Sequence, residues 1–281
     1  MCQDEGVAHD TKSQTQPKKR RRRTPGWVPD QHGAWAMLAM PLVIGAAVSG
    51  FRPLHLLLAV AWFLGYFAFF AAGLWFKSHF KSKYVPPLRA YAIATALAGG
   101  LTIAFQPALL WWAPAFAPLL AISLWCSYRR RDRSLLNDLL TVAAACLMLP
   151  VAAQVGAHPE VAFASATLCL VAIVFTYFFG TVLYVKTVIR ERGSRRYLLA
   201  SYAYHFTTIL LPSVLHLTVS QWRESASVLG TVLLTAFFVA LAVRAVWVPR
   251  TRATPKQVGV GEVFASLALA GILLFAVSHT F

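Results

Sequence analysis

From Ala34 onward the chain alternates between apolar runs of about 17–25 residues and short clusters of Lys and Arg. Roughly 20 apolar residues are needed for a helix to cross ~30 Å of hydrocarbon. Inside hydrocarbon every backbone N–H and C=O must be satisfied within the fold, which leaves helices or closed barrels. No strand-like alternation accompanies these runs, so the pattern predicts an all-α, polytopic membrane protein. Hydrophobic residues make up 58% of the 281 and charged residues only 13%, against about 45–50% apolar for a soluble domain.

Nine spans are expected: Ala34–Gly50, Leu54–Phe76, Leu88–Phe105, Ala108–Tyr128, Leu135–Gln154, Val161–Val185, Leu198–Val219, Ser225–Val248 and Val258–Phe281. Basic residues in loops mark the cytoplasmic side. With the N-terminus inside, 24 of the 26 Lys and Arg fall on the cytoplasmic face, and only Arg52 and Arg223 lie outside. One span more or fewer would scramble that alternation. The expectation is therefore N-in/C-out, as a multi-pass protein of the bacterial inner membrane. Residues 1–30 form a polar, basic cytoplasmic tail, expected to be disordered until it meets anionic lipid, and residues 31–281 form the transmembrane domain.

The net charge of +16 and the tract KKRRRR at Lys18–Arg23 fit nucleic acid in principle. Next to a first span the same tract reads as an orientation signal, and no nucleic-acid partner is expected. The first 30 residues lack the apolar core and cleavage site of a signal peptide. Cys2, Cys126, Cys146 and Cys169 show no metal-ligand spacing, and no metal or cofactor is expected.

Polar side chains in or beside the spans need a partner, water or a function. Gln31 and His32 open span one. Asn137 and Asp138 lie about one turn into span five, where Arg131 or Arg133 is the expected structural partner of the acid. Glu262 opens span nine with Lys256 available to it, and Arg244 is free to snorkel. Tyr197, Ser201 and His205 form a polar stripe on span seven, read as helix–helix hydrogen bonding. Pro114, Pro118, Pro150 and Pro212 are expected to kink their spans. Lys186 and Arg190, in YVKTVIRERG after span six, are four apart and would share one helix face. Lys77 and Lys81, after span two, repeat that spacing. Two readings stand for these cations: orientation of the chain, or a site for phosphate.

The motifs QHGAWAM and YVKTVIRERG together resemble the YwiC-like family of bacterial integral membrane proteins, over residues from about Trp27 to the C-terminus. The layout of nine spans, with polar cytoplasmic loops after the second and sixth, is more distantly similar to the UbiA superfamily of prenyltransferases. That resemblance implies a UbiA-like helical bundle holding a polyprenyl diphosphate over its loops. The superfamily's acidic motifs, which hold Mg²⁺, are replaced here by WFKSHFKSK and YVKTVIRERG, so metal-dependent prenyl transfer is not expected; Mg²⁺ requires oxygen ligands. Lys and Arg bind phosphate directly. Lys77, Lys81, Lys186, Arg190 and Arg192 would then line a cytoplasm-facing cavity for a polyprenyl or other phosphate-bearing lipid. Gln31, His32, Asn137 and Tyr184 would orient it, and His32, Asp138 or His205 would supply any acid or base. The alternatives are a transporter or exporter of a small organic anion and a non-catalytic membrane assembly partner.

Overall fold

In a computed structural model, residues 26–29, 34–251 and 253–278 are described, and among them only helices, turns and loops occur. The helices are α1 (Ala34–Val48), α2 (Leu54–Lys77), α3 (Val85–Phe105), α4 (Ala113–Tyr128), α5 (Leu135–Val155) and α6 (Ser165–Val185). They continue as α7 (Arg195–Thr208), α8 (Leu211–Thr218), α9 (Ser220–Ser225), α10 (Val228–Trp247) and α11 (Pro255–Val277).

Local chemistry sets several of these boundaries. Ser134 caps α5 by accepting from the Asn137 N–H, and Ser227 caps α10 by accepting from Gly230. Thr254 and Gln257 form a reciprocal capping box around Pro255 at the start of α11. α2 and α4 both close with a left-handed turn at non-glycine residues, His79 and Phe80 after one and Arg130 after the other. Phe80 is held there by its ring packing on Trp75, Phe76 and Tyr128.

Among the described residues, eight segments are long and apolar enough to cross a membrane, and α1 is a shorter apolar helix of 15 residues. At 1.5 Å per residue α1 rises about 22 Å, less than the hydrocarbon thickness. The expected fourth span is a 3₁₀ turn over Pro107–Trp112 followed by α4, because Pro114 sits in the first turn, where a missing N–H costs nothing. The seventh span breaks between α7 and α8. Pro212 has no N–H for the Thr208 carbonyl, so the helix restarts there. The sixth starts later than expected, at Ser165, after an extended Ala164.

α1, α5, α6, α10 and α11 share one core, with Ile44, Leu149, Ile173, Phe238, Leu269 and Leu273 fully buried in it. α1 lies almost backbone to backbone on α5: a Cβ at Gly45 would stand 2.1 Å from the Leu149 carbonyl oxygen. α2 packs on α3 and α4, and these three carry many outward apolar side chains, among them Leu97, Phe105, Trp111 and Trp125. Such a surface suits lipid, since soluble monomers rarely expose large contiguous apolar patches.

At one end of the bundle the loops are tied by neutral bonds. Ala157 and His158 donate to the Gly50 and Ser49 carbonyls, Trp112 donates to Gln154, and Ser227 donates to the Ala276 carbonyl. The other end carries the C-termini of α2, α4, α6 and α10 and nearly all the cations of the described residues. This is the basic end of the bundle.

Candidate functional site

The basic end is organised by the segment between α4 and α5. Asp132 forms an ion pair with Lys77 at 2.8 Å, and Asp138 forms one with Lys186 at 2.7 Å. Lys186 Nζ also donates to the Arg133 carbonyl at 2.6 Å. The ends of α2 and α6 thus meet on one short stretch of chain, six residues from acid to acid.

The two pairs differ in depth. Lys186 is buried, its side chain 6% exposed, whereas the Lys77 side chain keeps 39% exposure. A buried lysine needs a carboxylate and further hydrogen bonds to offset lost hydration, and Lys186 has both. Asp138 therefore pairs with Lys186, which differs from the partner expected from sequence, Arg131 or Arg133. α6 runs past the first turn of α5 and delivers Lys186 there, while those arginines project from the loop.

Asn137 is locked in place. Its Oδ1 accepts from Ser123 Oγ at 2.5 Å and its Nδ2 donates to the Asp132 carbonyl at 2.8 Å. Lys81 and Arg190 are exposed. Lys186 to Arg190 form a π-helical turn, and within it Lys186 turns inward while Arg190 faces out, so the two do not present one cationic face. Arg192 Nη2 donates to the Thr251 carbonyl at 3.1 Å, toward α10. Gln31 and His32 lie outside the described residues.

Beside these pairs is a hollow of about 760 Å³ lined by Lys77, Arg130, Arg131, Asp132, Arg133 and Ser134. Four cations face one acid there. The Asp132 charge is shared with Lys77, so the three arginines are left without a counter-charge on the wall.

A second polar cluster lies between α6, α10 and α11. Glu262 accepts from Arg244 Nη1 at 2.6 Å, from Thr181 Oγ1 at 2.8 Å and from Tyr177 Oη at 3.2 Å. Tyr177 Oη also lies 3.0 Å from Ser266 Oγ. The Arg244 guanidinium stands 4.2 Å above the Tyr184 ring. From sequence, Glu262 was expected to face Lys256 and Arg244 to snorkel. Instead α10 and α11 run antiparallel from one connection, which sets Arg244 and Glu262 level with each other. Tyr184 belongs to this cluster, not to the loop hollow.

His205 lies ten residues into α7, roughly 15 Å along the axis from its start. Its Nδ1 bonds the Ser201 carbonyl of its own helix at 2.7 Å, and Nε2 packs where a Cβ of Gly180 would reach it at 3.3 Å. The stripe on span seven is thus bonded along the helix; the bond to α6 comes from Tyr204 Oη to the Thr176 carbonyl. An apolar groove of about 580 Å³ lies between α7 and α10, ending at Arg250 and Thr251. Among the described residues no three His, Cys, Asp or Glu side chains come together to hold a metal.

Sequence reasoning missed the arginines of YRRRDR as hollow-lining groups and missed the Arg244–Glu262 pair. For the first, the signal was three arginines in a loop too short to spread them. For the second, it was a cation and an acid at matching depths on consecutive spans.

A helical bundle with many membrane-length apolar helices and its cations gathered at one end defines a multi-pass integral membrane protein. Within that class the chain is similar to the YwiC-like family: the model described as YwiC-like protein matches residues 28–153. It is 29% identical over 250 residues to a Bacillus subtilis (strain 168) protein described as uncharacterized protein YwiC, covering 88% of this chain and 97% of that one. It is 28% identical over 252 residues to an uncharacterized protein of Haemophilus influenzae (strain ATCC 51907 / DSM 11121 / KW20 / Rd), covering 88% and 96%. No solved structure matches the chain.

Proposed function

We propose that the protein binds the phosphate of an anionic lipid, a polyprenyl phosphate or another phosphate-bearing lipid, at its basic end. The hollow lined by Lys77, Arg130, Arg131 and Arg133 is the site. The observation that carries this reading is the imbalance on its wall, four cations to one carboxylate. Arg is suited to phosphate because its planar fork engages two oxygens at once. Lys186 and Asn137 act behind the wall, holding the α4–α5 segment in shape; Lys81, Arg190 and Arg192 contribute only to the surrounding potential. Asp138, committed to Lys186, is not an acid or base here.

In this reading the chain spans the bacterial inner membrane nine times, α1 included, with the N-terminus and the basic end cytoplasmic. Residues 1–30 are a basic tail on the same face. A UbiA-like arrangement is supported by one feature, the meeting of the segments after α2 and α6 on a single loop.

Mass spectrometry of co-purifying lipids tests the site. Wild type should retain a phosphate-bearing lipid that an Arg131→Gln/Arg133→Gln variant loses. A Lys81→Gln/Arg190→Gln variant, which removes the same charge from elsewhere on that face, should retain it. Equal loss from both variants would reduce the hollow to general attraction between a basic face and anionic lipid.

A further inference from the structure

The Arg244–Glu262 cluster borders a hollow of about 490 Å³ beneath the connection between α10 and α11, with Tyr184, Thr251, Gln257 and Val258 among its lining. We infer that this hollow is a binding site for a small oxyanion, a carboxylate or a phosphate, gripped by the Nε and Nη2 edge of Arg244.

The two partners of this ion pair use their hydrogen-bonding groups unequally. Both oxygens of Glu262 are engaged: one takes Arg244 Nη1 and the other takes Thr181 and Tyr177. Arg244 is not. Its Nε and Nη2 are buried and have no hydrogen-bond partner. These two nitrogens lie on one edge of the planar guanidinium with their N–H bonds parallel, the geometry that meets two oxygens of one acid group. What the cluster offers is therefore a pair of donors, and a ligand must bring acceptors. A metal cation or an ammonium group does not fit.

The remaining surroundings favour the same ligand class. Glu262 fixes Arg244 through Nη1 and the Tyr184 ring covers its face, so the guanidinium plane is held from two sides. Glu262 is in turn oriented by Thr181 and Tyr177. It acts as a positioning residue and does not itself touch the ligand. Gln257 Oε1 is taken by Thr254 in the capping box, which leaves its amide N–H groups to donate. The walls at Val258, Val248 and Ala253 are apolar and lower the local dielectric, strengthening a charge-assisted bond. Thr251, Ala253 and Gln257 belong to the turn at the basic end, so entry is from water on that side.

The site is separate from the loop hollow proposed above, since no residue lines both. The test uses the full chain in nanodiscs of phosphatidylcholine, which supplies no anionic headgroup in excess. Thermal unfolding is followed while inorganic phosphate, or benzoate as the carboxylate, is titrated. At least one anion should give a saturable rise in the midpoint. Arg244→Lys keeps the charge and loses the fork, and should weaken apparent affinity about tenfold or more. Gln257→Leu, which leaves the Arg244–Glu262 pair intact, should weaken it several-fold and covers the case in which Arg244→Lys fails to fold. Arg223→Gln, at an exposed position of α9 at the opposite end of the bundle, should change nothing, which controls for the loss of a cation as such. A parallel titration in nanodiscs containing phosphatidic acid identifies the source: loss of the response assigns the site to a lipid headgroup, and an unchanged response assigns it to a free anion. No saturable response of the wild type to either anion, or wild-type affinity in both Arg244→Lys and Gln257→Leu, would overturn the inference.

Discussion

The two polar regions of the basic end solve opposite problems. In the segment between α4 and α5, acids are outnumbered. Asp132 and Asp138 each take a lysine from another helix, and the arginines beside them stay at the surface. Between α6, α10 and α11 one acid is surrounded by donors, while its arginine keeps two nitrogens unused. The first region spends its carboxylates on joining helices, and its anion-binding capacity is what remains. In the second the carboxylate aims a cation. An ion pair in a membrane protein therefore does not by itself mark a site; the groups it leaves without partners do.

The largest expected effect concerns the pair that is most buried. Lys186→Met leaves Asp138 facing the core without its cation, and breaking one side of a buried pair costs about 3–5 kcal/mol. Asp138→Leu should do the same from the other side. The double variant Lys186→Met/Asp138→Leu should recover most of the loss, because an apolar pair of similar volume is often no worse than the ions it replaces. Unfolding of the detergent-solubilised variants measures this. If the double variant is as unstable as the singles, the pair does more than cancel charge, and Lys186 returns as a ligand candidate.

Much of the fold was legible because hydrocarbon tolerates few alternatives. Most of the expected spans coincide with helices to within a few residues, and the alternation of cations predicted which helix ends would meet. Where boundaries moved, a particular residue moved them: Pro212 breaks the seventh span, and Pro114 turns the start of the fourth into a 3₁₀ segment. The pairings were less legible, since they depend on how helices rotate about their axes. A spacing of four placed Lys186 and Arg190 on one face, but the π-helical turn and the position of α5 separated them. Asp138 offered three cations in reach along the chain or across it, and only packing chose among them. Arg244 and Glu262 lie 18 residues apart, beyond any local rule, and are joined by the antiparallel run of α10 and α11.

A smaller effect tests the frame of the loop hollow. Ser123→Ala removes the donor to Asn137 Oδ1 within the core of the α4–α5 turn. An acceptor left buried without a partner costs about 1–3 kcal/mol. Because Asn137 also holds the Asp132 carbonyl, lipid retention should fall with stability in this variant, although no charge has changed. Retention at the wild-type level would mean that the arginines do not rely on Asn137 for their placement.

The smallest effect belongs to Lys77. Its pair with Asp132 is as short as the Lys186 pair, 2.8 against 2.7 Å, so distance alone would predict equal contributions. Exposure separates them. With water around both partners the attraction is screened and the lysine keeps most of its hydration, so an exposed pair contributes about 0–1 kcal/mol. Lys77→Met should therefore leave the unfolding midpoint nearly unchanged and become salt-insensitive, whereas the small wild-type contribution fades as ionic strength rises. Binding should respond in a different direction from stability. Removing Lys77 frees Asp132 to repel a phosphate or to pair with Arg131 or Arg133, and lipid retention should drop although the fold does not. A variant that loses stability on the scale of Lys186→Met would show that the ends of α2 and α6 are anchored alike, and the distinction between a structural pair and a site-lining one would collapse at this end of the molecule.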